Sequence, residues 1–287
     1  MQLVIISGKG GTGKTTVAAS FAYLSENSIK VDCDVDASNL HIILGGDDIE
    51  KKPYIGAKLA HIDSDKCIKC GACEKVCRFG AIKDFRIEPL KCEGCGACKV
   101  VCPSEAIRLE DEITGDTIIT QTKRGLLSRA EMVIGAEGSG KLVTQVRKTA
   151  MQHKKEDEWV MMDGTPGIGC AVMASITGCD AALIVVEPTQ SGINDFERVH
   201  SLTKQFGIKA FVCINKYDIN ETIVFEIEKL CQREGIEVLG KIPFDPCVKT
   251  AVNDFRPIVS YEESKAGKEI INIWNAFKNK YKEEDIK

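Results

Sequence analysis

The chain has 287 residues, of which 44% are hydrophobic, and its formal net charge is −4. This length predicts about two domains, and the composition is ordinary for a protein with a packed core. The slightly acidic balance does not suit a nucleic-acid-binding surface, so we expect no nucleic-acid partner. No apolar run approaches the roughly 18 residues of a membrane span, and the first predicted strand starts at residue 2. We therefore expect a cytoplasmic protein without a signal peptide and without a membrane partner.

A glycine-rich loop follows the first predicted strand. Residues 2–7 form this strand, residues 14–25 have the composition of a helix, and G-K-G-G-T-G-K-T-T lies between them from Gly8 onward. This order, with the spacing G-x-x-x-x-G-K-[ST], is typical of a phosphate-binding P-loop, although a glycine turn without a ligand is the alternative. Backbone N–H groups of the loop and of the helix start would bind phosphate oxygens. We predict a nucleotide site with Lys14 between the β- and γ-phosphates, Thr15 on Mg²⁺, and the loop residues Gly10, Gly11, Thr12, Gly13, Lys14, Thr15 and Thr16 around the phosphates.

A second lysine, Lys9, stands early in the same loop. The form K-G-G-T-G-K-T-T resembles the deviant P-loop of the MinD/ParA/Mrp ATPases and of the nitrogenase iron protein. In that group the early lysine reaches across a dimer interface to the partner's nucleotide. The resemblance therefore implies ATP as the nucleotide, a homodimer through the nucleotide face, and catalytic roles for Lys9 in trans and Lys14 in cis. A solvated lysine on an exposed loop is the alternative for Lys9.

The second predicted strand, residues 29–33, runs into D-V-D-A-S-N-L from Asp34 onward. This pattern resembles switch I of the MinD group. The resemblance implies that Asp34 lies near the γ-phosphate, Mg²⁺ and the attacking water, where a carboxylate can orient water and hold metal-bound water. The alternative is that Asp34 and Asp36 cap the next helix.

Fourteen cysteines are the unusual feature of the composition. Eight of them form two segments with the spacing C-x₂-C-x₂-C-x₃-C, offset by 25 residues, which indicates an internal duplication. The pair resembles a bacterial two-cluster ferredoxin, in which the fourth cysteine of each run binds the other cluster. Structural zinc is the alternative. We predict two [4Fe–4S] clusters, one on Cys67, Cys70, Cys73 and Cys102 and the other on Cys92, Cys95, Cys98 and Cys77.

A third polar turn ends the apolar strand that begins at Trp159. The sequence D-G-T-P-G starts at Asp163 and resembles the Walker B strand and switch II. The resemblance implies that Asp163 holds Mg²⁺ through water and that the Gly167 N–H donates to the γ-phosphate. A strand-end turn without a ligand is the alternative. Cys170 follows at a place comparable to the bridging-cluster cysteine of the nitrogenase iron protein, so it is a candidate dimer-bridging ligand; a small buried residue is its alternative.

Two further stretches carry a resemblance. Residues 135–143 contain S-G-K-L-V, as in MinD-like ATPases with an inserted ferredoxin, and form either a partner loop or an ordinary helix start reaching residue 154. Asn215, after a strand over 210–214, resembles the adenine-contacting asparagine of the MinD group, with a turn-forming asparagine as the alternative. Pro243 resembles the second wall of the base pocket.

The remaining predicted elements are strands at 181–186 and 236–242 and helices at 193–206, 222–233 and 262–281. In the last helix the apolar residues recur at helical spacing, which predicts core packing rather than a membrane-binding face, since the acidic tail after it suits anionic lipid poorly. These positions are Ile270, Trp274, Phe277 and Tyr281.

These features predict an α/β fold with a doubly wound, largely parallel sheet typical of P-loop NTPases. A small α+β ferredoxin-like domain is expected at residues 56–113, between ATPase segments 1–55 and 114–287. The resemblance implies an ATPase with ATP, Mg²⁺ and two [4Fe–4S] clusters. Its nucleotide state would be coupled to electron transfer toward a metalloprotein or a cofactor-assembly partner. An iron–sulfur cluster carrier of the Mrp type is the alternative function.

Overall fold

The computed structural model describes residues 1–136 and 139–284. Its strands are β1 (Gln2–Ser7), β2 (Ser28–Asp32), β3 (Asp47–Ile62), β4 (Ile82–Lys83), β5 (Arg86–Ile87), β6 (Ile107–Thr122), β7 (Gly125–Met132), β8 (Trp159–Pro166), β9 (Ala181–Val186), β10 (Lys209–Asn215) and β11 (Glu237–Ile242). Its α-helices are α1 (Lys14–Leu24), α2 (Leu40–Leu44), α3 (Ala72–Val76), α4 (Ala97–Val100), α5 (Gly140–His153), α6 (Cys170–Ile176), α7 (Gln190–Gln205), α8 (Glu221–Glu234), α9 (Cys247–Asn253) and α10 (Lys265–Glu284).

A large sheet forms the framework. Within the described residues it has nine strands in the order β11-β10-β9-β1-β8-β2-β7-β6-β3. The pairs from β11 through β7 are parallel. Strand β9 is buried along its whole length, which explains why its sequence is a continuous apolar run rather than an alternating one. The predicted α/β fold with a large, mostly parallel sheet is confirmed.

The chain divides into two compact units. The larger unit comprises Met1–Lys51, Thr117–Glu131 and Gly138–Lys287, and the cysteine unit comprises Lys52–Asp116 and Met132–Glu137. The cysteine unit contains the β4–β5 hairpin, α3, α4 and a small core of its own. That core is built from Ala60, Cys73, Ile82, Cys98 and Ile107. That the predicted segment 56–113 is a ferredoxin-like domain stays a prediction.

Helix α10 closes the core of the larger unit. Ile270, Trp274 and Phe277 are all at most 4% exposed, and Trp274 contacts Phe21 of α1 at a ring distance of 5.0 Å. Trp159 of β8 meets the same indole edge-on at 5.8 Å. Core packing of this helix is therefore confirmed for these three positions, while the side chain of the fourth predicted position, Tyr281, lies outside the described residues. In the part of the chain that the structure describes, no helix combines the length and the apolar character that crossing a membrane requires.

Some boundaries differ from the sequence prediction. Helix α7 starts three residues earlier than predicted, because the Thr189 hydroxyl caps it by accepting the Gly192 N–H at 3.0 Å. Strand β7 ends at Met132, and Ile134, two residues later, is 99% exposed. Helix α9 was not predicted at all, because a seven-residue helix leaves little periodic signal.

Candidate functional site

The glycine loop is shaped by the elements on both sides of it. Strand β1 ends at Ser7, and α1 begins at Lys14 after Gly13, whose φ is 86°. Only glycine adopts this left-handed conformation without strain. A Cβ on Gly13 would also lie 2.3 Å from the Asn215 side-chain nitrogen. That amide donates to the Thr12 carbonyl at 2.8 Å, so the end of β10 fixes the loop from outside.

Lys14 lies at the centre of a group of charges. Its side chain is 5% exposed, and its ammonium group contacts the carboxylate of Asp163, which lies within β8. The Asp34 carboxylate is 3.8 Å away and the Thr15 hydroxyl 3.4 Å away. Burial acts to lower the pKa of Lys14, but the carboxylates of Asp163 and Asp34 outweigh it, so the pKa is raised and the lysine stays a cation. The structure therefore brings together the predicted phosphate-binding and Mg²⁺-binding side chains.

The oxygen groups around this lysine have the chemistry that Mg²⁺ selects. A threonine hydroxyl and two carboxylates are hard ligands, and Mg²⁺ in phosphate sites is held by few protein groups and several waters. The pKa of Asp34 is raised, mainly by partial burial, although Lys14 opposes the shift. Thr15, Asp34 and Asp163 could together hold the ion beside a phosphate.

Asp32 is a residue that the sequence analysis missed. It is fully buried, and its carboxylate accepts hydrogen bonds from the Ser38 hydroxyl at 2.8 Å and from the N–H groups of Asp34 and Leu40, both at 3.1 Å. Burial raises the pKa of Asp32 to about 7, and nearby Asp163 adds to the shift. The available signal was the sequence Asp32-Cys33-Asp34, in which the first aspartate holds the turn that presents the second. The Leu40 N–H at the start of α2 is therefore bound by Asp32 and not by Asp34.

Lys9 is bound by its own chain in this conformation. Its ammonium group donates to the hydroxyls of Thr189 and Ser191, each at 3.2 Å, and lies 3.7 Å from the Glu187 carboxylate. Glu187 also contacts Lys216, so one carboxylate serves two cations. About a third of the Lys9 side chain is exposed. The lysine predicted to act in trans therefore has a cis binding site in the turn between β9 and α7.

A cavity of about 390 Å³ opens beside the P-loop, within the range of ligand-binding sites. Gly11, Gly13, Asn215, Pro243 and Phe244 belong to its wall. Both polar atoms of the Asn215 amide form hydrogen bonds within the chain. Its oxygen accepts the Lys216 N–H at 3.0 Å, and its nitrogen donates to the loop.

The backbone N–H of Gly167 also has a hydrogen-bond partner within the chain. Its N–H donates to the Ser7 carbonyl at 2.9 Å, and its φ is 93°, a left-handed conformation. Cys170 begins α6 three residues later, and its thiol is exposed. The alternative of a small buried residue is therefore wrong for Cys170.

Of the stretch 135–143, residues 137 and 138 lie outside the described residues. The Ser139 hydroxyl caps α5 by accepting the Leu142 N–H at 3.3 Å.

Two cavities in the cysteine unit are each lined by four cysteines. The first cysteine set is Cys67, Cys70, Cys73 and Cys102. The second cysteine set is Cys77, Cys92, Cys95 and Cys98. In each set three cysteines come from one motif and the fourth from the other. The sulfur of that fourth cysteine accepts a backbone N–H: Ala81 donates to Cys77 at 3.4 Å and Ala106 to Cys102 at 3.3 Å.

The internal duplication is repeated in the backbone. Lys69 and Gly94, 25 residues apart, have φ values of 56° and 57°, and Gly71 and Gly96 have values of 75° and 78°. Burial repeats as well, because the third cysteine of each motif is buried and the second is exposed. The two cysteine sets thus present nearly the same local geometry.

Within residues 1–136 and 139–284, no three His, Cys, Asp or Glu side chains are close enough together to hold a single metal ion. A [4Fe–4S] cubane makes a different demand on the protein, because its thiolates bind separate irons instead of meeting at one atom. The cysteine sets match such a cluster in donor type, in number and in their place around a cavity.

A glycine loop between a buried parallel strand and a helix, facing one carboxylate in β8 and one just after the neighbouring strand β2, defines a P-loop nucleotide-binding protein. The model of the CobQ/CobB/MinD/ParA nucleotide binding domain family matches residues 3–258, and the chain belongs to this family. It is therefore a P-loop ATPase of the MinD/ParA type.

Individual relatives extend over most of the chain. The uncharacterized protein MJ0578 of Methanocaldococcus jannaschii is 37% identical over 251 residues, which is 85% of either chain. A protein of Pyrococcus abyssi named iron-sulfur cluster carrier protein is 24% identical across 98% of this chain and 87% of its own. The structure of the septum site-determining protein MinD from Pyrococcus horikoshii, complexed with Mg-ADP, matches with a TM-score of 0.58 and 20% identity, covering 96% of this chain and 95% of that one. This last likeness is one of fold.

Proposed function

We propose that this ATPase carries two [4Fe–4S] clusters and couples its nucleotide state to the transfer of their electrons to a metalloprotein or cofactor-assembly partner. One observation carries the proposal. In a chain that has a P-loop, two separate cavities are each lined by four cysteines in the crossed arrangement of a two-cluster ferredoxin.

The nucleotide half of the proposal rests on the charges around Lys14. Here the ammonium group is neutralised by Asp163 and Asp34, so an arriving γ-phosphate replaces these carboxylates as its partner. The released carboxylates, together with the Thr15 hydroxyl, would hold Mg²⁺ and its waters, and the ion would supply charge neutralisation of the phosphates. Asp34 orients the attacking water, and the loop N–H groups hold the phosphates in line.

Dimerisation would follow from the same exchange of partners. Lys9 leaves Glu187, Thr189 and Ser191 and reaches the nucleotide of a second copy, which gives a homodimer through the nucleotide face. The phosphates would offer Lys9 several anionic oxygens in place of one carboxylate and two hydroxyls, and hydrogen bonds between two charged groups are the strong ones. Thus a triphosphate would favour the dimer, and hydrolysis would release it.

In the cysteine half, the eight thiolates would hold the clusters, whose chemistry is the gain and loss of one electron. Ile82 and Ile107 belong to the buried core between the sets and exclude water from it. Cys70 and Cys95 are exposed, so each set has one edge at the surface where an electron can enter or leave. Glycines at positions 71 and 96 allow the backbone to wrap closely there.

Anaerobic purification with iron and sulfide analysis tests the proposal. We expect about eight irons per chain, four after Cys77→Ser and Cys92→Ser together, and eight after the matched control Cys247→Ser, because Cys247 lies in neither set. Far fewer than eight irons in the parent chain would refute cluster binding. Coupling is then measured as the EPR signal and midpoint potential of the clusters in apo, ADP and ATP-analogue forms. Identical values in all three would refute the coupling.

A second candidate is an iron–sulfur cluster carrier. It is favoured by the relative from Pyrococcus abyssi that bears this name and by the exposed thiol of Cys170, which could bridge two copies. Incubation with an apo-acceptor separates the two functions. A redox protein keeps its clusters while its partner is reduced, whereas a carrier loses iron to the acceptor. Cys170→Ser should abolish that loss if this thiol holds the transferred cluster.

A further inference from the structure

A few buried polar side chains have no hydrogen-bond partner in this protein. Such atoms are rare, because a group that is buried without a partner loses its hydrogen bonds to water and gains none in return. Among the residues that the structure describes, four side-chain atoms are in this condition: Thr12 Oγ1, His41 Nδ1, Thr165 Oγ1 and His200 Nε2. Two of them are threonine hydroxyls at the nucleotide site, one in the P-loop and one just after Asp163.

These two hydroxyls lie on different sides of strand β1. Thr12 belongs, with Lys9 and Val185 of β9, to the wall of a small space on the β9 side. Thr165 belongs to β8, the neighbour of β1 on the opposite side, and is 5% exposed. Thr165 is therefore on the side of the P-loop that carries the carboxylates.

Strand pairing places Thr165 between the P-loop and the turn that carries Asp34. Strand β8 lies between β1 and β2 in the sheet. In the parallel pairing of β8 with β2, Asp163 is opposite Asp32. Thr165 and Asp34 each follow two residues later, so both reach the same edge of the sheet. On its other side, β8 pairs with β1 as far as Ser7, the residue before the P-loop.

A hydroxyl at this edge has a use in phosphate chemistry. A water molecule that attacks a phosphate must direct its two hydrogens away from the phosphorus, so that a lone pair faces it. In the proposed function the Asp34 carboxylate accepts one of these hydrogens. A threonine hydroxyl can accept the other through its oxygen and donate its own hydrogen to a phosphate oxygen. Within its own chain, the Thr165 hydroxyl uses neither capacity.

We propose that Thr165 is a further catalytic residue of the ATPase, whose hydroxyl binds the attacking water beside Asp34. This rests on the proposed function, because it requires ATP and the role of Asp34. The reaction itself is unchanged. The water oxygen bonds to the γ-phosphorus, and the bond from this phosphorus to the bridging oxygen breaks. One proton of the water stays on the released phosphate and the other passes to solvent by way of Asp34, while Thr165 keeps its proton.

The first test is Thr165→Val in the full chain, which removes the hydroxyl and keeps the branched shape. Single-turnover phosphate release from ATP with Mg²⁺ should fall by about tenfold, as for one hydrogen bond lost in the transition state. The affinity for an ATP analogue should stay the same, because the contact is made only during the reaction. The urea midpoint of unfolding should stay the same or rise, because a methyl group replaces an unpaired buried hydroxyl.

The matched control is Thr203→Val, at another buried threonine. The Thr203 hydroxyl lies in α7 and donates to the His200 carbonyl at 2.8 Å, so it already has a partner. This variant should hydrolyse ATP at the parent rate.

Thr165→Ser and Thr165→Ala form a second test, because these two variants differ only by the hydroxyl. Serine should keep most of the parent rate, whereas alanine should lose it by about tenfold. Both lack the buried methyl group, so both should have a lower urea midpoint than the parent. Activity would then follow the hydroxyl and stability the methyl group, an order that a purely structural role of Thr165 does not produce.

The outcomes separate this inference from the function on which it rests. A parent chain that does not hydrolyse ATP refutes the proposed nucleotide cycle itself. An active parent with an equally fast Thr165→Val overturns the role of Thr165. So does a slower Thr165→Val whose affinity for the analogue falls to the same extent, because the hydroxyl would then bind the nucleotide before the reaction. Where Thr165→Val yields no folded protein, equal rates in the serine and alanine variants overturn the proposal.

Discussion

The nucleotide site and the cysteine unit are organised in opposite ways. In the nucleotide site the functional side chains already bind one another: Lys14 contacts Asp163, Lys9 contacts Glu187, and Asn215 binds the P-loop backbone. In the cysteine unit the candidate ligands surround two cavities, and one cysteine of each motif is exposed. The first arrangement suits a switch, because a ligand must displace protein partners. The second would suit permanent binding of the proposed clusters, because the cysteines already surround the cavities.

Removing the central cation should have the largest effect on the switch. Lys14→Ala leaves two carboxylates facing the triphosphate, so we expect ATP hydrolysis to fall by about 100- to 1000-fold, as for loss of one preorganised electrostatic contact. Phosphate release measures this, with the exposed Lys155→Ala as the matched control. Iron content should not change, and a parallel loss of iron would contradict the separation between the two arrangements.

Lys9→Ala tests whether the second lysine acts on a partner copy. We expect ATP binding to persist while ATP-dependent dimerisation weakens by about 10- to 100-fold, the cost of a lost charge contact at an interface. Analytical ultracentrifugation with an ATP analogue measures the dimer, and fluorescent nucleotide binding measures the monomer. If nucleotide binding and dimerisation weakened equally, Lys9 would act only within its own chain.

Asp32 makes the folding stability of the protein depend on pH. Its folded pKa of about 7 lies above its ordinary value of 3.8, so between these values the folded state binds a proton that the unfolded state lacks. Stability is therefore greatest at the acid end of this window and falls as pH rises toward 7, by at most about 1.4 kcal/mol per pH unit from this one group. Urea unfolding from pH 5 to pH 8 measures the slope, which should be smaller in Asp32→Asn. An unchanged slope would mean that other groups control it.

Asn215→Ala distinguishes two roles for the amide. The structure shows it holding the Thr12 carbonyl, and loss of such a bond costs about 1 kcal/mol, or roughly a fivefold weaker affinity. If the amide acts only through the loop, affinities for ATP and GTP should fall equally. A selective loss of ATP binding would instead support the predicted contact with adenine. Competition binding with both nucleotides provides the measurement.

Six strands of the large sheet, from β11 through β2 in the sheet order, and most helices of the larger unit could be predicted, because their apolar patterns are local information. Strands β3, β6 and β7 at one edge of the sheet were not predicted. The P-loop was equally clear, since residues 8–15 carry the whole pattern. What the sequence could not provide was pairing at long range. The contact of Lys9 with Thr189 joins positions 180 residues apart, and that of Asn215 with Thr12 joins positions 203 residues apart. No local pattern in the sequence marks either contact. Asp32 was missed for a related reason, because its role is to support Asp34 and not to meet the ligand.

Glu187→Gln should have the smallest effect of these substitutions. It tests directly whether a contact within the nucleotide site must break before the site can act, unlike the cysteines that already surround their cavities. Glu187 holds Lys9 beside two hydroxyls, and partly exposed ion pairs contribute about 0.2 to 1 kcal/mol. Because this contact must break before Lys9 can reach another copy, its loss should lower the ATP-analogue concentration for half-maximal dimerisation by about twofold to fivefold. Glu197→Gln, in the adjoining helix, is the matched control, because among the described residues Glu197 pairs with Arg233 and forms no ion pair with Lys9. Weaker dimerisation in Glu187→Gln would instead show that Glu187 supports the dimer, for example by holding Lys216 in place, and the cis site of Lys9 would then not oppose association.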